Sequence, residues 1–360
     1  APDAGYDKPN TKTFLITTTY GEKVRVVFYK DDLFRIWLAN DGTGDFTEGD
    51  SYLLLDKENF GSEPEVTYSY NTTNPNMPYH SFATGALELR AYVNPFLFGL
   101  YKDGEAVWQE STPLTYYVGA ATQLLATDPN EYFYGGGMQV GNLSHKGSSI
   151  TIGRSGRTPG TAPSPVPFYM STKGFGVFRN TFANGTYNFT SNSVTELMHR
   201  ESRFDAFYFY GPTFGGVLDG YTELTGRPSL IPRWGMGLGD ASAYRQLHDT
   251  IAEGGNPANA GSQKPSDEPY GGFWRDSGTV GMADDLVTDY IEKDMPIGWM
   301  LPNDGYGCEY NKATHPGGSL GDAAEGLMKY NVRTGLWVGQ PQNYKQNNYT
   351  YGNGTDAGFK

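Results

Sequence analysis

Before residue 213, apolar and polar positions alternate with a period of two along much of the chain. Phe14 and Ile16 share one side of a run that turns at Tyr20-Gly21, and Val24, Val26 and Phe28 share one side of the next. Asp31-Asp32 marks a further turn, and Phe34, Ile36 and Leu38 follow at the same spacing. Successive side chains of a strand point to opposite sides of its sheet, so this pattern predicts strands with one buried face. Leu87, Leu89, Ala91 and Val93 alternate with Glu88, Arg90 and Tyr92 until Pro95 interrupts them. Phe96–Tyr101 then leads into Asp103-Gly104, with Val107-Trp108 on the return. Asp-Gly between apolar runs predicts a two-residue hairpin turn, because both central positions need a positive φ. Lys173-Gly174 reads as another hairpin tip and Phe204–Tyr210 as another strand, whereas segment 40–50 predicts an exposed acidic loop and 69–79 a polar loop rich in Asn and Pro.

The period changes from residue 213 onward. Val217, Leu218, Tyr221 and Leu224 recur at three-to-four spacing, which predicts a short amphipathic helix over Thr213–Arg227 closed by Gly226. Trp234–Asp240, WGMGLGD, reads as a strand. Ala283–Asp294 carries Leu286, Val287, Tyr290 and Ile291 on one helical face and stops before Pro296. Ile297–Leu301 is continuously apolar, as a strand buried on both faces is. Asp322–Tyr330 repeats the helical pattern with Ala323, Leu327 and Met328, and Thr334–Val338 predicts another buried strand. Strand alternating with helix implies βαβ units and a parallel sheet. The expected fold is multidomain, β and α/β: a β-sandwich over residues 1–228, then an α/β domain over 229–360 with a Gly-, Asn- and Pro-rich surface excursion at 253–281.

Composition narrows the function. The 27 basic and 40 acidic residues leave a formal charge of −13, which repels a phosphate backbone and argues against a nucleic-acid partner. No run of 18 apolar residues exists, so no membrane-spanning helix is expected. The first residues lack the basic and apolar regions of a secretory leader. Cys308 is the single cysteine, which excludes an intrachain disulfide and fits a reducing, cytoplasmic compartment. Aromatics make up 15% of the chain, a level that suits β-rich folds and surfaces that stack on sugar rings. The five histidines are scattered without metal-ligand spacing, so no metal is expected. Gly135-Gly136-Gly137 predicts a tight inter-strand turn or a close backbone approach and lacks the Lys and Ser/Thr of a phosphate loop. Gly235, Gly237 and Gly239 are followed by Asp240 where a dinucleotide loop needs Gly or Ala, so no cofactor is expected.

Seven collinear fragments resemble glycoside hydrolase family 31, the α-glucosidase-like enzymes. They are LELRAYVNPFLFGLYKDGEAVW, YFYGGGMQ, PFYMSTKGFGVFRN, FDAFYFYGP, LDGYTELTGRPSLIPRWGMG, MPIGWMLPNDGYG and TGLWVG. The resemblance implies an N-terminal, galactose-mutarotase-like β-sandwich followed by the first strands and helices of a (β/α)8 TIM barrel. Leu301-Pro302-Asn303-Asp304-Gly305-Tyr306, together with GLGDAS, is similar to the α-1,4-glucan lyases of that family. Such enzymes release 1,5-anhydro-D-fructose from starch, glycogen or maltooligosaccharides through a glycosyl-enzyme and an elimination. The alternatives are an α-glucosidase or transglycosidase, and a segment that only binds carbohydrate. The family's nucleophile and acid follow later barrel strands than the three read here, so no catalytic residue is assigned within 1–360 and the chain alone is expected to be inactive. Strand C-terminal ends line the active face of such barrels, which makes Asp240, Asn303, Asp304 and Trp337 candidates for holding an α-1,4-glucan or maltooligosaccharide. Met138 and Gln139 are expected on a sandwich loop over the barrel mouth. Three of these candidates have a structural alternative: Asp304 as a turn cap, Asp240 as a helix cap, Trp337 as core.

Overall fold

A computed structural model describes residues 10–39, 46, 60–85, 87–116, 119–153, 164–241, 287, 290–301, 325 and 327–334. The chain divides into two compact units, Ala1–Pro228 and Ser229–Lys360.

The described part of the front unit contains strands β1 Lys12–Thr17, β2 Lys23–Lys30, β3 Leu33–Ala39, β4 Thr67–Asn71, β5 Tyr79–Thr84, β6 Leu87–Val93, β7 Phe96–Lys102 and β8 Glu105–Gln109. They are followed by β9 Ala121–Ala126, β10 Phe133–Met138, β11 Ser149–Ile152, β12 Ser164–Ser171, β13 Phe175–Arg179, β14 Gly185–Asn188, β15 Val194–His199 and β16 Phe204–Tyr210. Three sheets result: seven-stranded β1-β2-β3-β16-β13-β12-β10, five-stranded β4-β5-β6-β7-β8 and four-stranded β11-β14-β15-β9. Val24, Val26, Phe28, Phe34, Ile36 and Leu38 sit in one core with Phe82, Leu89 and Phe98 of the five-stranded sheet and Ile150, Tyr187 and Leu197 of the four-stranded one. The period-two faces read from the sequence are therefore the inner faces of a sandwich. Lys102 pairs with Glu105 around Asp103 (φ 50°) and Gly104 (φ 86°), the left-handed pair that the Asp-Gly signal requires.

The outer face of the large sheet is covered as well. Helix α1, Phe214–Thr225, begins where the Thr213 hydroxyl accepts the Gly216 amide at 3.2 Å and ends at Gly226 (φ 95°). Its Val217 and Leu224 pack with Val27, Tyr29, Phe168, Phe207 and Phe209, and Tyr221 stacks on Phe168 at 3.9 Å. Strand β13 is consequently buried along its whole length and β16 along nearly all of it, while β3 is wholly buried with Phe46 packed on its Trp37 and Ala39. Polar side chains on that face need partners. Arg35 of β3 meets Asp205 of β16 in two hydrogen bonds of 2.6 Å, each residue only 1% exposed, and Asn180 and Arg203 bond the same carboxylate. A buried pair of this geometry resists separation, because removing one member strands the other charge.

Two sequence expectations need correction here. Segment 69–79 is not one loop: β4 occupies Thr67–Asn71 and β5 starts at Tyr79. Its alternation of tyrosine with Thr and Ser, without aliphatics, hid the strand. In segment 40–50 the described residue, Phe46, is buried edge-on against Trp37 at 5.5 Å instead of exposed.

In the rear unit β17 Leu238–Ala241, β18 Ile297–Leu301 and β19 Arg333–Thr334 form a parallel sheet in that order. Val287 and Leu327, from helical segments, bury Met300 and Val332. Asp294 (φ 52°) and Asn331 (φ 60°) terminate those segments in the left-handed region, with the Met295 amide on the Tyr290 carbonyl and the Val332 amide on the Leu327 carbonyl. Ile291 and Met328, expected on apolar faces, are exposed. WGMGLGD is not a single strand either. Arg233–Met236 is a 3-10 turn after Pro232, and the strand begins at Leu238. Leu286, Ala323, residues 335–338 and the excursion at 253–281 lie outside the described residues.

Candidate functional site

The three glycines of YFYGGGMQ do not form the predicted turn. They lie within β10, paired to β12, and the register shifts between Gly135 and Gly137. All three have positive φ, at 117°, 73° and 75°. A Cβ would stand 2.7 Å from the Phe168 carbonyl oxygen at Gly135, 2.6 Å from Ile150 Cδ1 at Gly136, and against the Ser164 carbonyl at Gly137. Close approach, not turning, is what glycine provides here. Buried His145 lies with Nε2 2.8 Å from the Gly135 carbonyl oxygen, which only accepts, so Nε2 carries the proton. The Gln139 side-chain amide donates to the Gly136 carbonyl at 2.7 Å and to the Thr151 carbonyl at 3.3 Å. Of the predicted pair, Gln139 thus braces the bulge, while Met138 is 63% exposed beside exposed Val140 and Leu143.

Asp240 is the third residue of β17 and pairs in register with Met300. Met300 packs against Val287 and Leu327, and the Tyr290 hydroxyl donates to Asp240 Oδ2 at 2.8 Å. Neighbouring register partners in a parallel sheet project to the same side, so this carboxylate is tied to the helical layer. On the other side, Gly239 leaves room for the Trp299 indole, which a Cβ would strike. Asn303, Asp304 and Trp337 lie outside the described residues. Met138 and Gln139 belong to the front unit and Asp240 to the rear one.

Sequence reading missed a cavity of about 670 Å³ between the seven- and five-stranded sheets, lined among others by Leu38, Phe96, Phe98, Glu22, Glu110 and Tyr116. Burial pushes the Glu110 carboxyl up to about 7, against hydrogen bonds from Gln123 Nε2 at 2.7 Å and the Phe98 amide at 2.8 Å. Burial also raises Glu22, but donation from the Thr18 and Tyr116 hydroxyls outweighs it and holds that carboxyl below its ordinary value. Gln123 bonds in turn to the Tyr208 hydroxyl of β16, so Glu110 links all three sheets. Both carboxyls are committed to intrachain donors, which makes them ties of the sandwich instead of an acid–base pair. The one available signal was an acid two residues after the apolar pair Val107-Trp108. Among the described residues, no group of three or more His, Cys, Asp or Glu side chains could hold a metal ion.

Residues 23–188 match the glycosyl hydrolase 31 N-terminal galactose mutarotase-like domain. The chain is similar to an α-glucosidase 2 of Bacillus thermoamyloliquefaciens, 28% identical over 246 residues, covering 64% of this chain and 30% of that protein. It is also similar to an isomaltosyltransferase of Sporosarcina globispora, 22% identical over 248 residues, covering 62% of this chain and 21% of that protein. The match therefore spans less than a third of either relative. In three dimensions the chain resembles a Flavobacterium johnsoniae GH31 dextranase complexed with isomaltotriose. That likeness has a TM-score of 0.68 at 15% identity and covers 91% of this chain and 37% of the dextranase. At that identity the likeness speaks for the fold alone.

Proposed function

We propose that the intact protein breaks or transfers α-glucosidic bonds by two-carboxylate chemistry, in which one carboxylate attacks the anomeric carbon while a carboxylic acid protonates the departing oxygen. The observation carrying this reading is the glycosyl hydrolase 31 domain over residues 23–188, followed in the same chain by a parallel sheet. Hydrolysis or transglycosylation is favoured by the α-glucosidase and isomaltosyltransferase relatives. In this reading residues 229–360 open the (β/α)8 barrel, and Asn303, Asp304 and Trp337 meet the sugar. Incubating the intact protein with maltose, isomaltose, starch and dextran tests it. Glucose or transfer products are expected from at least one, and no product from any of the four would sink the reading.

The second reading is the lyase, favoured by the strand end Leu301-Pro302-Asn303-Asp304-Gly305-Tyr306. Here the departing nucleophile carboxylate takes the C2 proton, and the sugar leaves as 1,5-anhydro-D-fructose. The same incubations decide it: anhydrofructose from maltose or starch supports elimination, and glucose without it excludes elimination.

A further inference from the structure

Tyr68 and Tyr70 sit two residues apart on edge strand β4, opposite Phe82 and His80 of β5, so four rings share one face of the five-stranded sheet. Phe82 is buried in the sandwich core, but Tyr68 and Tyr70 are 51% and 50% exposed. The exposed rings are ordered by one another. Tyr68 stacks with His80 at 6.0 Å and 18°, Tyr70 lies 4.9 Å from His80, and the Tyr68 hydroxyl is 3.0 Å from His80 Nδ1. Phe14 of β1 extends the row, stacked on Tyr68 at 6.3 Å and 28°. A groove of about 290 Å³ runs between Tyr68, His80 and Phe82 and the Phe14–Thr17 stretch of β1, with no charged side chain among the described residues that line it.

This ledge is selective by its chemistry. A pyranose offers an apolar C–H face to an aromatic ring and hydroxyls at its rim to the polar tips of Tyr and His. Ring pre-stacking removes most of the ordering cost of binding. Among the described residues lining the groove there is no carboxylate for a basic peptide; Lys23 reaches the Thr17 hydroxyl at one end of it, at 3.1 Å, but the chain's net charge of −13 repels an anionic polymer. A neutral saccharide fits both conditions.

We propose that Phe14, Tyr68, Tyr70 and His80 form a non-catalytic docking surface for a neutral α-glucan chain, which keeps polysaccharide on the sandwich while bonds are cut elsewhere. The choice of glucan rests on the function proposed above; the ledge itself does not. Affinity electrophoresis of the intact protein through gels containing dextran or amylose tests it. Wild type is retarded by at least one polymer, and Tyr68→Ala/Tyr70→Ala loses retardation with affinity down about tenfold. Tyr68→Phe/Tyr70→Phe keeps the rings and most of the retardation, and maltose turnover is equal in all three proteins. No retardation of wild type by either polymer overturns the proposal, as does unchanged retardation of the alanine variant. A change in sedimentation mass on alanine substitution overturns it in favour of self-association. Retardation without turnover of any glucoside would sink the enzymatic reading and leave the docking surface standing.

Discussion

Glu110 takes a carboxyl into the interior with only neutral donors, Gln123 Nε2 and the Phe98 amide, facing it. Its folded value of about 7 lies above the ordinary 4.5. Below the ordinary value both states hold the proton; between the two values only the unfolded chain releases it. Stability therefore falls as pH rises through that window, by roughly 3 kcal/mol, and is flat above it. Glu110→Gln should remove this loss, read as urea unfolding at pH 5 and pH 8; equal pH responses in the two proteins would refute the assignment. Gly137 makes a steric prediction of a different kind. With φ at 75° and the Ser164 carbonyl in the way, Gly137→Ala should cost roughly 2–3 kcal/mol, whereas Gly147→Ala, at φ 79° in open space, should cost about 1 kcal/mol. Thermal midpoints rank the two. Gly137 was visible in the sequence as one of a glycine triplet, but its function was not, because the carbonyl it accommodates is 27 residues away, on β12.

At the scale of elements, α1 changes what the large sheet is. By covering Phe168, Phe207 and Phe209 it turns half-exposed strands into fully buried ones, so its cap matters beyond the helix. Thr213→Ala should lower stability by about 1 kcal/mol in chemical denaturation. In the rear sheet, the Tyr290–Asp240 bond separates two roles. A helix tie predicts that Asp240→Ala lowers the thermal midpoint and leaves KM unaltered, as Tyr290→Phe does; a sugar contact predicts a raised KM for Asp240→Ala only. Most strand positions were legible because inward aliphatics alternate with polar residues, as Leu87, Leu89 and Ala91 do. β4 was not, since Tyr68 and Tyr70 lie at an edge where burial is incomplete. Trp234 was read as strand because glycine-rich apolar stretches carry no period, and Pro232 with the Gly237-to-Trp234 hydrogen bond selects a 3-10 turn.

For the whole molecule, the likeness to glycoside hydrolase family 31 and the parallel sheet that follows in the sequence were both readable in chain order, since motif order and period are local properties of a sequence. The sequence by itself determined the alternation of faces, the hairpin at Asp103-Gly104, the helix over Phe214–Thr225 and the switch from antiparallel to parallel architecture. Local sterics and periodicity suffice for each of these. Only the tertiary structure decided which charges are buried together, as Arg35 and Asp205 are across 170 residues of chain. Only it decided that Gln139 braces a bulge, that Glu110 ties three sheets beside a cavity, and that four aromatic rings line up on an open edge. Those are contacts between distant segments, and their energies depend on packing and desolvation, quantities that no single stretch of sequence contains.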